Sequence, residues 1–189
     1  MAFYFSYHPF VNYDIEKNGT QIRTQNPLVR FKIKNLIKDK IGTYYTHNMQ
    51  DHESAQFVAH KYYNDITLDW LIYIANDIID PQYDWPLTSL NLLEYIKSKY
   101  GSIPAAQQGT HHYEQILSTP QKLYNGSITK EKTLEIDLDT YNAIGDSANK
   151  RLVSNYDYET KKNDNKRLIK VIRKNFLSSI LSEHRRIFK

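Results

Sequence analysis

The stretch YNDITLDWLIYIANDIIDPQYDWPLTS, Tyr63 to Ser89, sets the reading of the chain. Asn64-Asp65 breaks the element before it, and Asp65 or Thr67 can accept hydrogen bonds from the free amides of a new helix. In that helix Leu68, Leu71, Ile72, Ala75 and Ile79 share one face, and Trp70 and Ile74 widen it almost all round, which predicts a largely buried helix. Pro81 cannot sit in a helix interior, and Pro86 cannot donate to a central ladder. Asp77 to Leu87 is therefore expected to turn and run back as an extended strand. Asn76, Asp77 and Asp80 would satisfy backbone groups at the helix end, and Tyr83 and Trp85 would face one side. Thr88 or Ser89 then caps a third helix, stopped at Tyr100-Gly101.

Working upstream, Thr43 to Thr46 reads as a short strand, and Asp51 or Ser54 caps a helix through Tyr62 with Ala55, Val58, Ala59 and Tyr62 at helical spacing. Val58, Ala59, Tyr62, Trp70, Leu71, Ile74 and Ala75 form the expected core of this module. Residues 1 to 27 mix Phe3, Tyr4, Phe5, Tyr7, Phe10 and Tyr13 with the turn pair Asn18-Gly19, and read as an extended aromatic arm. Leu28 to Lys38, with Leu28, Val29, Phe31, Ile33, Leu36 and Ile37 among basic residues, fits either a short strand or an amphipathic helix, and strand then helix is the favoured expectation.

Downstream of Gly101, Ile103-Pro104 and Gln107 to Gly109 read as loop, and Asn125-Gly126 as a tight turn. Leu134, Ile136 and Leu138 alternate with Glu135, Asp137 and Asp139 as a half-exposed strand, and Arg151 to Glu159 reads as another. From Asn163 the pattern is helical to the end, with Leu168, Ile172, Phe176 and Ile180 in an apolar stripe beside Lys166, Arg167, Lys170, Arg173 and Lys174. The expected class is α+β, in four segments: an arm over 1–40, a module with a third helix over 41–101, a loop and strand region over 102–160, and a basic amphipathic helix over 161–189.

The formal charge of +4 hides an asymmetry. Residues 1–40 carry seven Lys/Arg against three Asp/Glu, and residues 161–189 carry ten against two. The 120 residues between them carry eight against 16, so basic ends flank an acidic middle. The 16 tyrosines are over twice an ordinary share of roughly 3%. AT-rich coding gives the same excess, but tyrosine is also the residue of protein interfaces, with an apolar ring and a polar tip. Cysteine is absent, which excludes disulfides, thiolate metal sites and cysteine nucleophiles. No window approaches the roughly 18 apolar residues of a membrane span, and no secretory signal pattern opens the chain, so a soluble, unexported protein is expected.

The chemical motifs are few. His52-Glu53 would begin a zinc-protease pattern, but the position four residues after His52 is Gln56. His111-His112 with Glu114 has no third ligand placed nearby and reads as solvated histidines. No glycine-rich phosphate cradle or nucleophile elbow occurs. The expectation is no enzyme, no metal and no cofactor. The basic C-terminal stretch could grip phosphates, but its apolar stripe favours docking on protein over nucleic acid or membrane.

Tyr44-Tyr45, Glu53-Ser54, Val58-Ala59 with Tyr62, and Ala75-Asn76-Asp77-Ile78 running into Asp80-Pro81 resemble the lysin-motif (LysM) module, a βααβ unit, over residues 43–88. His52 stands where that family has glycine, and the Tyr62 to Asn76 span is a few residues longer. A broader resemblance joins YNDITLDWLIYIANDIIDPQYDWPLTS to YIKSKYG and NYDYETKKNDNKRLIKVIRKNF. Together these are similar to the baseplate wedge protein encoded by gene fifty-three of T-even-like contractile-tailed bacteriophages. That resemblance implies a structural virion protein assembled in the host cytoplasm. It would sit in several copies on the inner baseplate ring, clamp neighbouring wedges, and couple them to the hub and tail tube. Phe3, Tyr4, Phe5, Tyr83, Trp85, Arg167, Lys170, Arg173 and Lys174 are the candidate interface residues. The LysM resemblance alone implies a different function, binding of peptidoglycan or N-acetylglucosamine chains.

Overall fold

The computed structural model describes residues 3–33, 40–124, 126–145 and 147–188. Contacts divide the chain into two units, one made of Met1–Pro86 with Lys166–Lys189 and the other of Leu87–Asn165.

The first unit opens with a 3-10 turn at Tyr4–Tyr7 and then, in place of an extended arm, a hairpin of β1 (Phe10–Tyr13) and β2 (Ile22–Gln25) with Tyr13 opposite Ile22. Asp14 closes it, its carboxylate accepting from the amides of Asn18 at 3.2 Å and Gly19 at 2.7 Å. Glycine is required at position 19, where φ is +84°. Leu28 to Ile33 form neither strand nor helix, although Phe31 and Ile33 are buried. The remainder of the strand and helix expected there lies outside the described residues, as does Asn125 of the expected Asn125-Gly126 turn.

β3 (Tyr44–Asn48) precedes α1 (Ala55–Tyr63), where the Ser54 hydroxyl accepts from the Phe57 amide at 3.2 Å and Asn64 ends the helix in the left-handed region. Asp65 caps a 3-10 turn at Ile66–Leu68 that runs into α2 (Asp69–Ala75). α2 stops before Ile79, which is 71% exposed instead of on the buried face. The expected return strand after Pro81 is a single helical turn, α3 (Pro81–Asp84). The physical reason is local: the Asp80 carboxylate accepts from the Gln82 amide at 3.0 Å, and the fixed φ of Pro81 suits a first helical position.

The second unit starts with α4 (Ser89–Tyr100), capped by the Thr88 hydroxyl, and α5 (Ile103–Gln108), capped by Ser102 with Pro104 in its first turn. The expected loop at Ile103 is therefore a helix start. β4 (Thr110–Ser118) and β5 (Lys132–Ile136) precede α6 (Leu138–Ala143), so Leu138 begins a helix behind the Asp137 cap instead of continuing the strand. β6 (Lys150–Ser154) gives way at Asn155 to α7 (Asn155–Asn165), halving the strand expected over 151–159. The three strands are antiparallel in the order β5-β4-β6. Leu92, Ile96 and Ala106 form a small core, supplemented by buried charge: Glu159 meets Lys99 at 2.5 Å and the Tyr100 hydroxyl at 3.1 Å.

The chain then rejoins the first unit, and here the expected continuous helix fails. Leu168–Ile172 is a strand, β7, antiparallel to β3 with Tyr44 opposite Ile172 and His47 opposite Ile169; after it a 3-10 turn at Lys174–Phe176 leads into the helix α8 (Leu177–Ile187). Five residues of which four are apolar fit either period, and the β-branched Ile169, Val171 and Ile172 settle as a strand because β3 completes their ladder. α1 packs on α2, and α2 on β7. Val58, Ala59, Leu71, Ile72 and Val171 are wholly buried, Trp70 and Ala75 nearly so, and Tyr62 and Ile74 are half-buried at the margin of this core.

Candidate functional site

Asn76 ends α2, and its side chain reaches β7. The carboxamide nitrogen donates to the carbonyls of Ile72 at 2.8 Å and Lys170 at 2.9 Å, and its oxygen accepts from the Lys170 amide at 2.7 Å. One side chain thus acts as a one-residue strand on the outer edge of β7, satisfying groups that an edge otherwise presents unpaired. Beyond it, the turn sends its two aromatics apart. Trp85 is half-buried, edge-on to Tyr73 with ring centroids 5.6 Å apart, whereas Tyr83 is 70% exposed.

At the start of the chain, Phe3 and Phe5 are exposed while Tyr4 turns inward. The Tyr4 hydroxyl accepts from the Phe31 amide at 2.9 Å, and its ring lies 5.6 Å from that of Trp70. In the hairpin Phe10, Val11, Tyr13, Ile15 and Ile22 are all exposed. Reading the arm as extended misses this; its signal is Asn18-Gly19 between apolar runs. A groove of about 440 Å³ in the same unit is lined by Tyr4, Phe31, Trp70 and Ile74 together with Arg30, Lys32 and Asp77.

The basic C-terminal residues lie on and beside β7, not along a helix. Arg167 meets Asp51 at 2.6 Å, Lys170 sits over the Tyr44 ring at 5.0 Å and Arg173 over the Tyr45 ring at 4.7 Å, while Lys174 is exposed. Three of the four charges therefore brace the β3–β7 pair from within the unit.

Two polar networks could suggest chemistry. The Tyr62 hydroxyl lies 3.1 Å from His47 Nδ1, and His47 Nε2 lies 2.7 Å from Glu53, in the order of nucleophile, base and orienting acid. Burial alone would push the Glu53 carboxyl up, but the Gln50 amide, His47 and Lys61 outweigh it and hold it at about 2. With Glu53 ionised, His47 Nε2 carries the proton and Nδ1 accepts from Tyr62. Together these bonds link β3, the loop after it and α1, through Tyr62 and Lys61 on the helix, which gives the set a structural use. In the second unit Glu114 is likewise buried yet held at about 2 by Arg151, His112 and Lys161. His111 stacks on Tyr158 with centroids 3.6 Å apart. Among the described residues no three potential metal ligands come together, and no helix is long and apolar enough to cross a membrane.

The arrangement is thus one of braced strands, exposed aromatics and buried, paired charge. A search of curated proteins found no match. The family model described as base plate wedge protein 53 matches residues 1–187 of the chain's 189. The chain therefore belongs to the base plate wedge protein 53 family, structural proteins of the phage tail baseplate that meet other baseplate components.

Proposed function

We propose that the chain is a connector that joins neighbouring wedges around the inner baseplate ring and couples them to the hub and tail tube, in several copies and without catalysis. The observation that carries this reading is the β1–β2 hairpin. An isolated two-stranded hairpin is marginal in water, and this one exposes apolar side chains from both strands. Phe3, Phe5 and Tyr83 extend the contact surface and Lys174 supplies charge, while Tyr4, Trp85, Arg167, Lys170 and Arg173 hold the surface in shape. The test is co-expression with the other wedge proteins and size analysis of the products. A Phe10→Ser/Tyr13→Ser/Ile22→Ser variant should keep its circular dichroism and fail to join the wedge; incorporation at the wild-type level would reject the hairpin as the contact.

The alternative is a glycan-binding LysM-type module. What supports it is the order strand, helix, helix, antiparallel strand in β3, α1, α2 and β7, with the segment 87–165 placed before the last strand. Retention on insoluble peptidoglycan that N-acetylglucosamine oligomers compete away would favour it; no retention removes it.

A further inference from the structure

We propose that His184, packed against His8, is a proton-operated latch, holding the N-terminal arm on the core of the first unit when it is neutral and releasing the arm on acidification. His8 is 3% exposed and His184 1%, with ring centroids 5.9 Å apart. His8 follows the 3-10 turn of the arm and stacks on Phe188 at 4.2 Å, while His184, on α8, lies 4.9 Å from the Trp70 ring and 5.1 Å from that of Phe31. The pair thus joins the arm, α8, α2 and the Phe31 segment in one apolar cluster.

The hydrogen-bonding pattern fits a neutral His184. His8 Nε2 lies 3.0 Å from the Val29 carbonyl, to which it donates. His8 Nδ1 and both nitrogens of His184 are buried without a hydrogen-bond partner. Among the described residues, the groups around them do not offer a counter-charge. The arm brings Tyr4 and Tyr7; α8 brings Arg185, which sits over the Tyr7 ring, and Glu183, which pairs with Arg186. Arg30 and Lys32 flank Phe31, and Asp69, next to Trp70, is taken by Gln56. Neither imidazole makes an ion pair among the described residues. Burial, then the neighbouring His8, push the His184 imidazole below its usual range, against a smaller opposing pull from the Tyr4 backbone, which lies near the ring without closing a well-formed hydrogen bond.

The sign follows. A histidine lowered in the closed state binds more protons once released, so the latch is at full strength above the free value of about 6.5 and weakens as pH falls below it. Glu53 and Glu114, held at about 2, stay ionised across that window, so the β3–β7 pair and the second unit are not released with the arm.

Hydrogen exchange on the full chain tests this through the Ser6 and His8 amides, which bond to the Phe3 and Phe5 carbonyls. After correction for intrinsic exchange, their protection should fall severalfold, and by no more than about tenfold, between about pH 7.5 and about pH 5.5, while amides of β4 and β6 hold theirs. His184→Phe should keep the arm protected at both pH values, and His8→Phe should lessen the fall. A wild-type change under about twofold, or an undiminished fall in His184→Phe, overturns the latch. If His184→Phe does not fold, the wild-type imidazole signals decide: His184 titrating at or above about 6.5, with arm resonances unmoved, overturns it equally.

Discussion

Replacing Asn76 with alanine removes three hydrogen bonds at once and leaves the Lys170 amide and carbonyl without the partner that closes the β7 edge. Each bond contributes about 1 kcal/mol net, and a polar group left unpaired in a partly buried site costs about 1 to 3 kcal/mol. Water can reach part of this edge, since Asn76 and Lys170 are half-buried, so the expected loss is about 2 to 4 kcal/mol. Asn76→Asp is the sharper variant. Its carboxylate still accepts from the Lys170 amide but turns an oxygen towards the Ile72 and Lys170 carbonyls, so at neutral pH it should be at least as destabilising as alanine. The assay is urea unfolding followed by tryptophan fluorescence. Trp70 and Trp85 are the chain's two tryptophans, and both lie in the first unit, so the signal reports that unit by itself. With a slope of about 2 kcal/mol/M, the midpoint should drop by about 1 to 2 M at constant slope. A loss below about 0.5 kcal/mol in Asn76→Ala would refute the strand-like role and leave Asn76 as an ordinary helix terminator.

Trp70→Ala should cost about 3 to 5 kcal/mol, read by circular dichroism, because the ring is buried against Tyr4, Phe31 and His184; a loss under about 1 kcal/mol would place it outside the core. Deleting 166–189 should unfold the first unit, since β3 loses β7, the strand it pairs with; a truncated chain with native tryptophan fluorescence would contradict this. The Glu53 and Glu114 carboxyls lie at about 2 against an ordinary 4.5, so their stabilisation is full above 4.5 and is lost as pH falls towards about 2. Glu53→Gln should therefore flatten the acid limb of the first unit's stability profile, and an unchanged limb would show that the pairing contributes nothing.

Local chemistry was readable wherever one residue acts on its neighbours. Ser54, Asp65, Asp80 and Thr88 cap as their side chains dictate, and Gly101 ends a helix at φ +84°. The same local rules applied to Pro81 could yield either a strand or a helical turn, and the Asp80 cap decided for the turn. The hairpin was obscured because its loop spans Asp14 to Gln21, too long for a two-residue turn signal, and because its closure depends on one carboxylate meeting two amides. Buried Glu114, Glu159, His8 and His184 left no trace in periodicity, since a charged or polar residue is buried only when distant partners or packing surround it.

By itself the sequence determined the helices α1, α2 and α4 with their caps, the apolar residues that must be hidden, and the absence of cysteine chemistry. Tertiary structure alone decided that residues 168–172 are a strand, that Asn76 completes their edge from 94 positions away, and that the residues between form a separate unit. Side-chain spacing along a chain specifies a face, but a strand exists only where another strand supplies its hydrogen bonds. That partner, β3, is more than a hundred residues away from β7 in sequence.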